Sequence, residues 1–423
     1  MRQLHAHAIP SRAAVRRVAW ARAISAAGNT SAFVALSAAL YASTGSAVWV
    51  SAAALASFAP PALISPLAGA IGDRRDRRRV MVISDLLGSG CFLLMALVPG
   101  PAALVGVKVL ASIVAAPLAP AAGAALPGLA PAGEIGWANS RLATAGTLGA
   151  LIGPVVGGLL VAGSGAPFVF ALNACSFLVS AFLVLSIRGA FGEVDDAEDS
   201  AGTERGLASG FGFLVRHQEL RAVTIAFGLI FLGIGLTLPA EVALATDFGV
   251  GAGGYGVLVA LWGVGAVVGA QLASGLLRRW RSLPLLTFSA CGIAIALWGI
   301  GVAPIFALAL TAMGIAGFGE GVWEVAQQVL IQSRAPNAIR SRVLAANEAI
   351  SQVGFSIATL FAGFLVNALG PRPGYYIAGA ICGFGALVLA AATYLSRHRA
   401  GASGSASPKR QGTVGSQSGT DRR

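Results

Sequence analysis

The chain has 423 residues, 56% apolar and only 11% charged, with a mean hydropathy of +0.78. A soluble domain needs about a quarter of its residues charged to wet its surface, so this composition excludes a soluble globular protein and implies an integral membrane protein. Lys and Arg number 29 against 17 Asp and Glu, a net charge of +12, but Lys108 and Lys409 are the only lysines and the arginines sit in short clusters between apolar stretches, a pattern that argues for positive-inside topology and against nucleic-acid binding.

Residues 1–17 are basic and lack an apolar core, so they read as a cytoplasmic arm rather than a cleavable signal peptide. Stretches of about 20 apolar residues, the length that crosses a bilayer as a helix, follow in order. They are placed at 18–41, 47–71, 80–99, 103–126, 138–162 and 168–187, then at 222–243, 255–277, 284–302, 304–328, 343–369 and 375–395. Unalternating apolar runs such as 307–316 exclude a transmembrane β-barrel. The linker 188–221 divides the spans into an N-terminal bundle, 18–187, and a C-terminal bundle, 222–396. It carries an acidic stretch (Glu193, Asp195, Asp196, Glu198, Asp199) and then an amphipathic run with Phe211, Phe213, Leu214 and Leu220, expected to lie as a helix on the inner membrane surface. From 397 to 423 the composition turns to Gly, Ser, Thr, Gln and charge and reads as a disordered cytoplasmic tail. The fold class is therefore all-α integral membrane, with twelve transmembrane helices in two pseudo-symmetric six-helix bundles.

Orientation follows from the cations. All except Arg22, Lys108 and Arg372 lie in the N-terminal arm, in alternate connections or in the tail, with Arg141 counted at the inner edge of the fifth span. Cations near span ends are retained on the cytoplasmic side, which places both termini in the cytoplasm of a cell inner membrane. Cys91, Cys175, Cys291 and Cys382 each stand alone in an apolar run, so neither a disulfide framework nor a metal site is expected.

Between the second and third spans stands Gly69-Ala70-Ile71-Gly72-Asp73-Arg74-Arg75-Asp76-Arg77-Arg78-Arg79. A glycine lets helices approach, an aspartate at a helix end accepts charge-assisted hydrogen bonds, and the arginines hold the loop at the inner face. In the fifth span Gly149, Gly153 and Gly157 recur every four residues on one helical face, with Pro154 permitting a bend and Gly158 beside them. Read alone, the first segment could be a stop-transfer charge cluster and the second ordinary small-residue packing. Together they resemble two motifs of the major facilitator superfamily. Gly69, Asp73, Arg74, Arg77 and Arg78 match its loop motif, with Asp76 where the family has a second glycine. Gly149, Gly153, Pro154, Gly157 and Gly158 match its antiporter motif, which in the family accompanies export. Further likeness at Arg22-Ala23-Ile24-Ser25, at 126–139 and at 332–343 points to the exporter branch that contains the enterobactin exporter and macrolide-efflux-like proteins. The resemblance implies two rocking six-helix halves and no cofactor.

Charged residues inside a membrane span are costly and therefore mark function. In the tenth span Glu320, Glu324, Gln327 and Gln328 fall on one helical stripe, with the carboxylates ~6 Å apart along the axis at ~1.5 Å per residue. Two such carboxylates raise each other's proton affinity, which makes them candidates for proton coupling; a structural network with arginines at the helix ends is the alternative. Arg22, Asn29, Lys108, Gln327 and Gln328 are the cavity and cargo candidates. Related exporters often carry an aspartate where Asn29 stands, which shifts proton carriage toward the glutamates. Asp85 is expected to pair with the arginine loop, and Glu241 and Asp247 to be solvated at the outer end of the seventh span. No P-loop and no His-Glu-x-x-His occurs, so an enzyme is not expected. The reading is a secondary active transporter, a proton-coupled exporter of a small drug, natural product or siderophore, expected to be a monomer in the lipid bilayer. Facilitated uptake, or a sensor or assembly partner that retains the fold, remains open.

Overall fold

The computed structural model describes residues 11–74, 76–187, 191, 203–336 and 339–405, without side chains at 65–74, 203–208, 341 and 396–405. The first half contains α1 (Arg12–Thr44), α2 (Ala47–Arg74), α3 (Arg77–Leu97), α4 (Pro101–Ala115), α5 (Leu118–Leu129), α6 (Ile135–Ser164) and α7 (Ala166–Leu185). After α8 (Thr203–Arg216), the second half contains α9 (Gln218–Asp247), α10 (Gly251–Arg279), α11 (Ser282–Val302), α12 (Phe306–Arg334), α13 (Arg340–Leu369) and α14 (Pro371–Ser405). Among the described residues there are 12 helical stretches long and apolar enough to cross a membrane, α4 and α5 together forming one. Helices dominate because lipid offers the backbone no hydrogen-bond partner, and a helix pairs its amides and carbonyls internally.

Short connections end these helices through backbone that glycine adopts without strain. Gly45 (φ 64°) donates its N–H to the Tyr41 carbonyl at 2.8 Å, and Gly100 (φ 89°) is followed by Pro101 at the first turn of α4. Where continuous helix was expected over 103–126, the structure breaks at Ala116 and Pro117. Proline has no N–H to continue the ladder, so α5 starts afresh. The second departure concerns the amphipathic run: α8 holds Phe211, Phe213 and Leu214, but Leu220 lies in α9, and Leu214 is buried in the core of the second half. Gly210 permits this docking, since a Cβ there would stand 2.7 Å from the Arg342 carbonyl carbon. The acidic stretch 193–199 and residues 406–423 lie outside the described residues, while α14 runs past 397 as helix.

The halves are built alike. In the first, α1 packs on α6 and α7, and α3 on α7; in the second, α9 packs on α13 and α14, and α10 and α11 on α12. Glycines make the closest approaches. A Cβ at Gly157 would sit 2.6 Å from Ser31 Cα on α1, and one at Gly321 would stand 2.7 Å from the Ala266 carbonyl carbon on α10. The halves meet where α6 approaches α10 and α2 approaches α13. Gly158 lies against Ala252 and Gly256, Gly363 lies against Ala47 and Val48, and Asn367 accepts the Ala47 N–H at 2.7 Å. These contacts cluster at the end of the molecule where α1 finishes and α2 begins, away from the arginine-rich helix ends.

Gly157→Ala is expected to lower the thermal unfolding midpoint of the detergent-purified protein, by a destabilisation on the order of 1–3 kcal/mol from overpacking. Gly90→Ala on α3, where nothing stands within 4 Å of the added carbon, should leave the midpoint unchanged or raise it.

Candidate transport cavity

Toward the basic end of the second half, α9, α12 and α13 enclose a cavity of about 420 Å³. Its acidic lining is Glu320 and Glu324 from α12 and Glu348 from α13. One wall is aromatic: Phe227 stacks on Trp323 with ring centroids 6.3 Å apart and planes 5° apart, and Phe231 meets Phe227 edge-on at 4.6 Å. This aromatic surface continues across the halves, from Phe231 to Phe355, then Phe58 and Phe33.

The helical stripe on α12 does bring its polar residues to one place. Glu320 is half-buried and accepts a hydrogen bond from the Trp262 indole on α10, while Glu324 is exposed to the cavity. Gln327 is 4% exposed and its Oε1 accepts the Trp323 indole N–H at 2.5 Å, so it braces the aromatic wall. Gln328 is open to the cavity. Asn347, behind Glu348, accepts the Thr224 hydroxyl at 3.0 Å and ties α13 to α9. Glu348 was not singled out in the sequence, although the rule applied to Glu320 applies to it: a carboxylate within an apolar span. The aromatic pair could not be found that way, because Phe227 and Trp323 are 96 residues apart and meet only when α9 packs beside α12.

The first-half candidates stand apart from this cavity. Asn29 Oδ1 receives the Asn173 amide of α7 at 3.4 Å, and Arg22 lies beside Gly146 of α6. Lys108 is 9% exposed and its ammonium stands 5.5 Å from the centre of the Phe92 ring, a cation–π contact inside the bundle. Asp85 faces α7 rather than the arginine loop: it is fully buried and accepts the Ser180 hydroxyl at 2.7 Å. Two turns of α3 separate it from Arg78, too far for the pairing expected. Glu241, expected to be solvated, is 6% exposed, with Thr237 at 3.4 Å and Tyr255 and Tyr375 facing it. The packing of α10, α13 and α14 around α9 makes that end interior.

The two motifs divide similarly. Gly149, Gly153 and Gly157 face α1, and Gly158 and the Pro154 carbonyl meet Gly256 of α10, so one run of α6 serves both an internal contact and the seam between halves. In the loop, Asp76 caps α3 by accepting the amides of Arg78 at 2.9 Å and Arg79 at 3.4 Å. Its φ is −54°, so this position needs no glycine. Arg77 donates to the Phe191 carbonyl at 3.1 Å and Arg78 to that of Leu185, which ties the start of α3 to the end of α7. Gly69, Asp73 and Arg74 fall in the last turns of α2, and their side chains lie outside the described residues.

A bilayer-spanning protein of two like halves, closed against each other at one end and holding a polar, aromatic-lined cavity nearer the other, is built as a membrane transporter. The family model of the Major Facilitator Superfamily matches residues 18–240 and 223–417, and the chain belongs to that family. The multidrug efflux pump Tap of Mycolicibacterium fortuitum is 30% identical over 372 residues, 81% of this chain and 87% of that protein. The enterobactin exporter EntS of Escherichia coli is 25% identical over 242 residues, covering 57% of this chain and 56% of the exporter. Among solved structures, the nucleoside transporter NupG superposes with a TM-score of 0.76 at 13% identity, over 90% of this chain and 99% of that one. A D-xylose-proton symporter gives 0.65 at 18%, over 89% and 96%. At such identities the structures share the fold with this chain.

Removing the Thr224 hydroxyl leaves the buried Asn347 carbonyl oxygen without its donor. Thr224→Val is therefore expected to destabilise the protein by about 1–3 kcal/mol, read as a lower melting midpoint, whereas Thr224→Ser should melt close to the parent.

Proposed function

We propose that this chain is a proton-coupled exporter of a small amphipathic molecule, a drug, natural product or siderophore, working by alternating access as a monomer in the cell inner membrane. Both termini lie in the cytoplasm, so the cavity opens on the cytoplasmic side and the seam between halves closes the outside. The observation that carries the reading is the grouping of Glu320, Glu324 and Glu348 in an aromatic-walled cavity nearer the basic end, opposite the glycine contacts of α6 with α10. The similarity to Tap, a multidrug efflux pump, and to EntS, an enterobactin exporter, supports the direction.

Coupling follows from electrostatics. A carboxyl group held away from water keeps its proton, and one meeting water or an incoming cationic group gives it up, so each change of access can move a proton on Glu320 or Glu324. Cargo lies against the aromatic wall at the partly exposed Phe231 ring, and its polar end competes with the proton. The loop motif Gly69, Asp73, Arg74, Arg77 and Arg78 steadies one access state, Arg77 and Arg78 by holding the inner end of α3 to the chain that leaves α7. Arg22, Asn29 and Lys108 support the first-half wall.

Cells that lack their own exporters and express this chain should extrude preloaded ethidium, tetracycline or a catecholate siderophore in a proton-gradient-dependent way. Glu320→Gln and Glu324→Gln keep size and hydrogen bonding but cannot titrate, so at least one should lose uphill efflux while retaining downhill exchange. Uphill efflux with parental pH dependence in the double variant would move the proton site elsewhere, and accumulation in place of efflux would make the chain an uptake carrier.

A further inference from the structure

A second, larger recess of about 690 Å³ lies outside the transport cavity, between α1 and α6. Its position follows from the faces these helices turn to their neighbours. On α1, Ala23, Ala27, Thr30 and Ser31 face α6, while Gly28 faces Asn173 and Ser176 of α7. Trp20 and Ile24 fall on the arc between those two faces. On α6, Gly149, Gly153 and Gly157 face α1 and Leu151, Pro154 and Gly158 face α10, leaving Arg141, Leu148 and Ile152 on the side away from α10. Helix α7 packs on α1, α3 and α6, all within its own half. The recess therefore opens at the periphery, where the protein meets lipid.

Its walls and its end differ in chemistry. Trp20, Leu148 and Ile152 expose 64%, 51% and 55% of their surface, so the walls are apolar. Arg16 and Arg141 stand together at the basic end. Neither has a carboxylate within salt-bridge distance among the described residues. The nearby Glu134 is held by Arg12 through both oxygens, at 2.7 and 2.8 Å, which keeps that carboxyl below its ordinary pKa. Arg16 reaches only the Arg12 carbonyl, at 3.4 Å, and Arg141 lies over the Trp137 ring at 5.8 Å. Both helices run outward from this end. Arg16 to Ala27 on α1, and Arg141 to Ile152 on α6, each cover ~16 Å at ~1.5 Å per residue. That is about half of a ~30 Å hydrocarbon core, the depth of one leaflet.

We propose that this recess is a binding site for an anionic phospholipid, with the phosphate between Arg16 and Arg141 and one acyl chain laid along Trp20, Leu148 and Ile152. The length matches a single leaflet, the open side faces the hydrocarbon, and the two cations sit where the headgroup phosphate falls. A bound chain also covers the outer edge of the α1–α6 contact at Gly149, which lines the recess. The lipid therefore steadies the contact that the antiporter-like motif of α6 makes with α1. The site is separate from the acidic cavity and requires no cargo.

The test uses full-length protein, stripped of lipid in detergent and titrated with dioleoyl phosphatidylglycerol or dioleoyl phosphatidylcholine, with bound lipid counted by native mass spectrometry and melting followed in parallel. The parent should retain phosphatidylglycerol preferentially and melt higher with it. At ~1 kcal/mol per arginine, R16Q/R141Q should weaken retention about 30-fold. R278Q/R279Q, which removes equal charge from the basic end of α10, should not. Ala145→Phe fills the recess while leaving both arginines, and it should also abolish the preference. Equal retention of the two lipids by the parent would overturn the proposal. So would parental retention by R16Q/R141Q or by Ala145→Phe, or displacement of the lipid by soluble glycerol 3-phosphate, which would make the arginines a plain anion site.

Discussion

Helices in a bilayer gain nothing by hiding apolar surface from one another, because lipid tails are as apolar as leucine; they hold together through close van der Waals fit. The rest of this structure depends on that constraint. Within each half, glycines on successive turns bring backbones into contact along a length of helix: Gly149, Gly153 and Gly157 against α1, and Gly317 and Gly321 against α10. Such contacts are extended and have no slack, so each half behaves as one body. The seam between halves uses the same device over a shorter length, at Gly158 with Gly256 and Gly363 with Ala47 and Val48. Strong packing inside each half, with a short seam at one end, is the mechanical condition that alternating access requires.

Several polar side chains buried among these helices are held by a hydrogen bond within their own half. Asp85 has Ser180, Asn29 has Asn173, and Gln327 has Trp323 one turn away on its own helix. Glu324 and Glu348 differ, since they open onto the cavity instead of onto a neighbouring helix. Glu320 sits between these cases, held by Trp262 yet lining the cavity. A transporter needs side chains whose partner changes with the state of the cavity, and the second half supplies them.

The spans were legible in sequence because the bilayer dictates both length and apolar content, two properties read residue by residue. The stripe from Glu320 to Gln328 was legible for the same reason, as a helical period on one segment. What escaped depends on which helix lies alongside which. Glu241 reads as solvated from its place near a span end, but α10, α13 and α14 close over it. Asp76 stands where the family has a second glycine, and it supplies the cap that begins α3. Lys108 reads as a cavity residue, whereas it lies against the Phe92 ring inside the first half. In each instance sequence fixes the chemistry and tertiary packing decides its use.

The halves share an architecture but have diverged in chemistry, and the divergence bears on how a proton could be coupled. In the first half the polar candidates are held by neighbours within that half: Asn29 is an amide bonded to Asn173, Asp85 is tied to Ser180, and Lys108 lies against an aromatic ring. In the second half three carboxylates line one cavity, Glu324 and Glu348 open to it and Glu320 held by Trp262, beside an aromatic wall. Under the proposed mechanism, the first half is then a rigid wall and fulcrum, and the second carries the titrating groups. Such a division lets charge in the cavity change without disturbing the glycine contacts that keep either half intact. Acids on the α6-facing side of α1, beside Ala23, Ala27 or Ser31, would place every protonation event against packed backbone, where a change of charge costs structure as well as solvation.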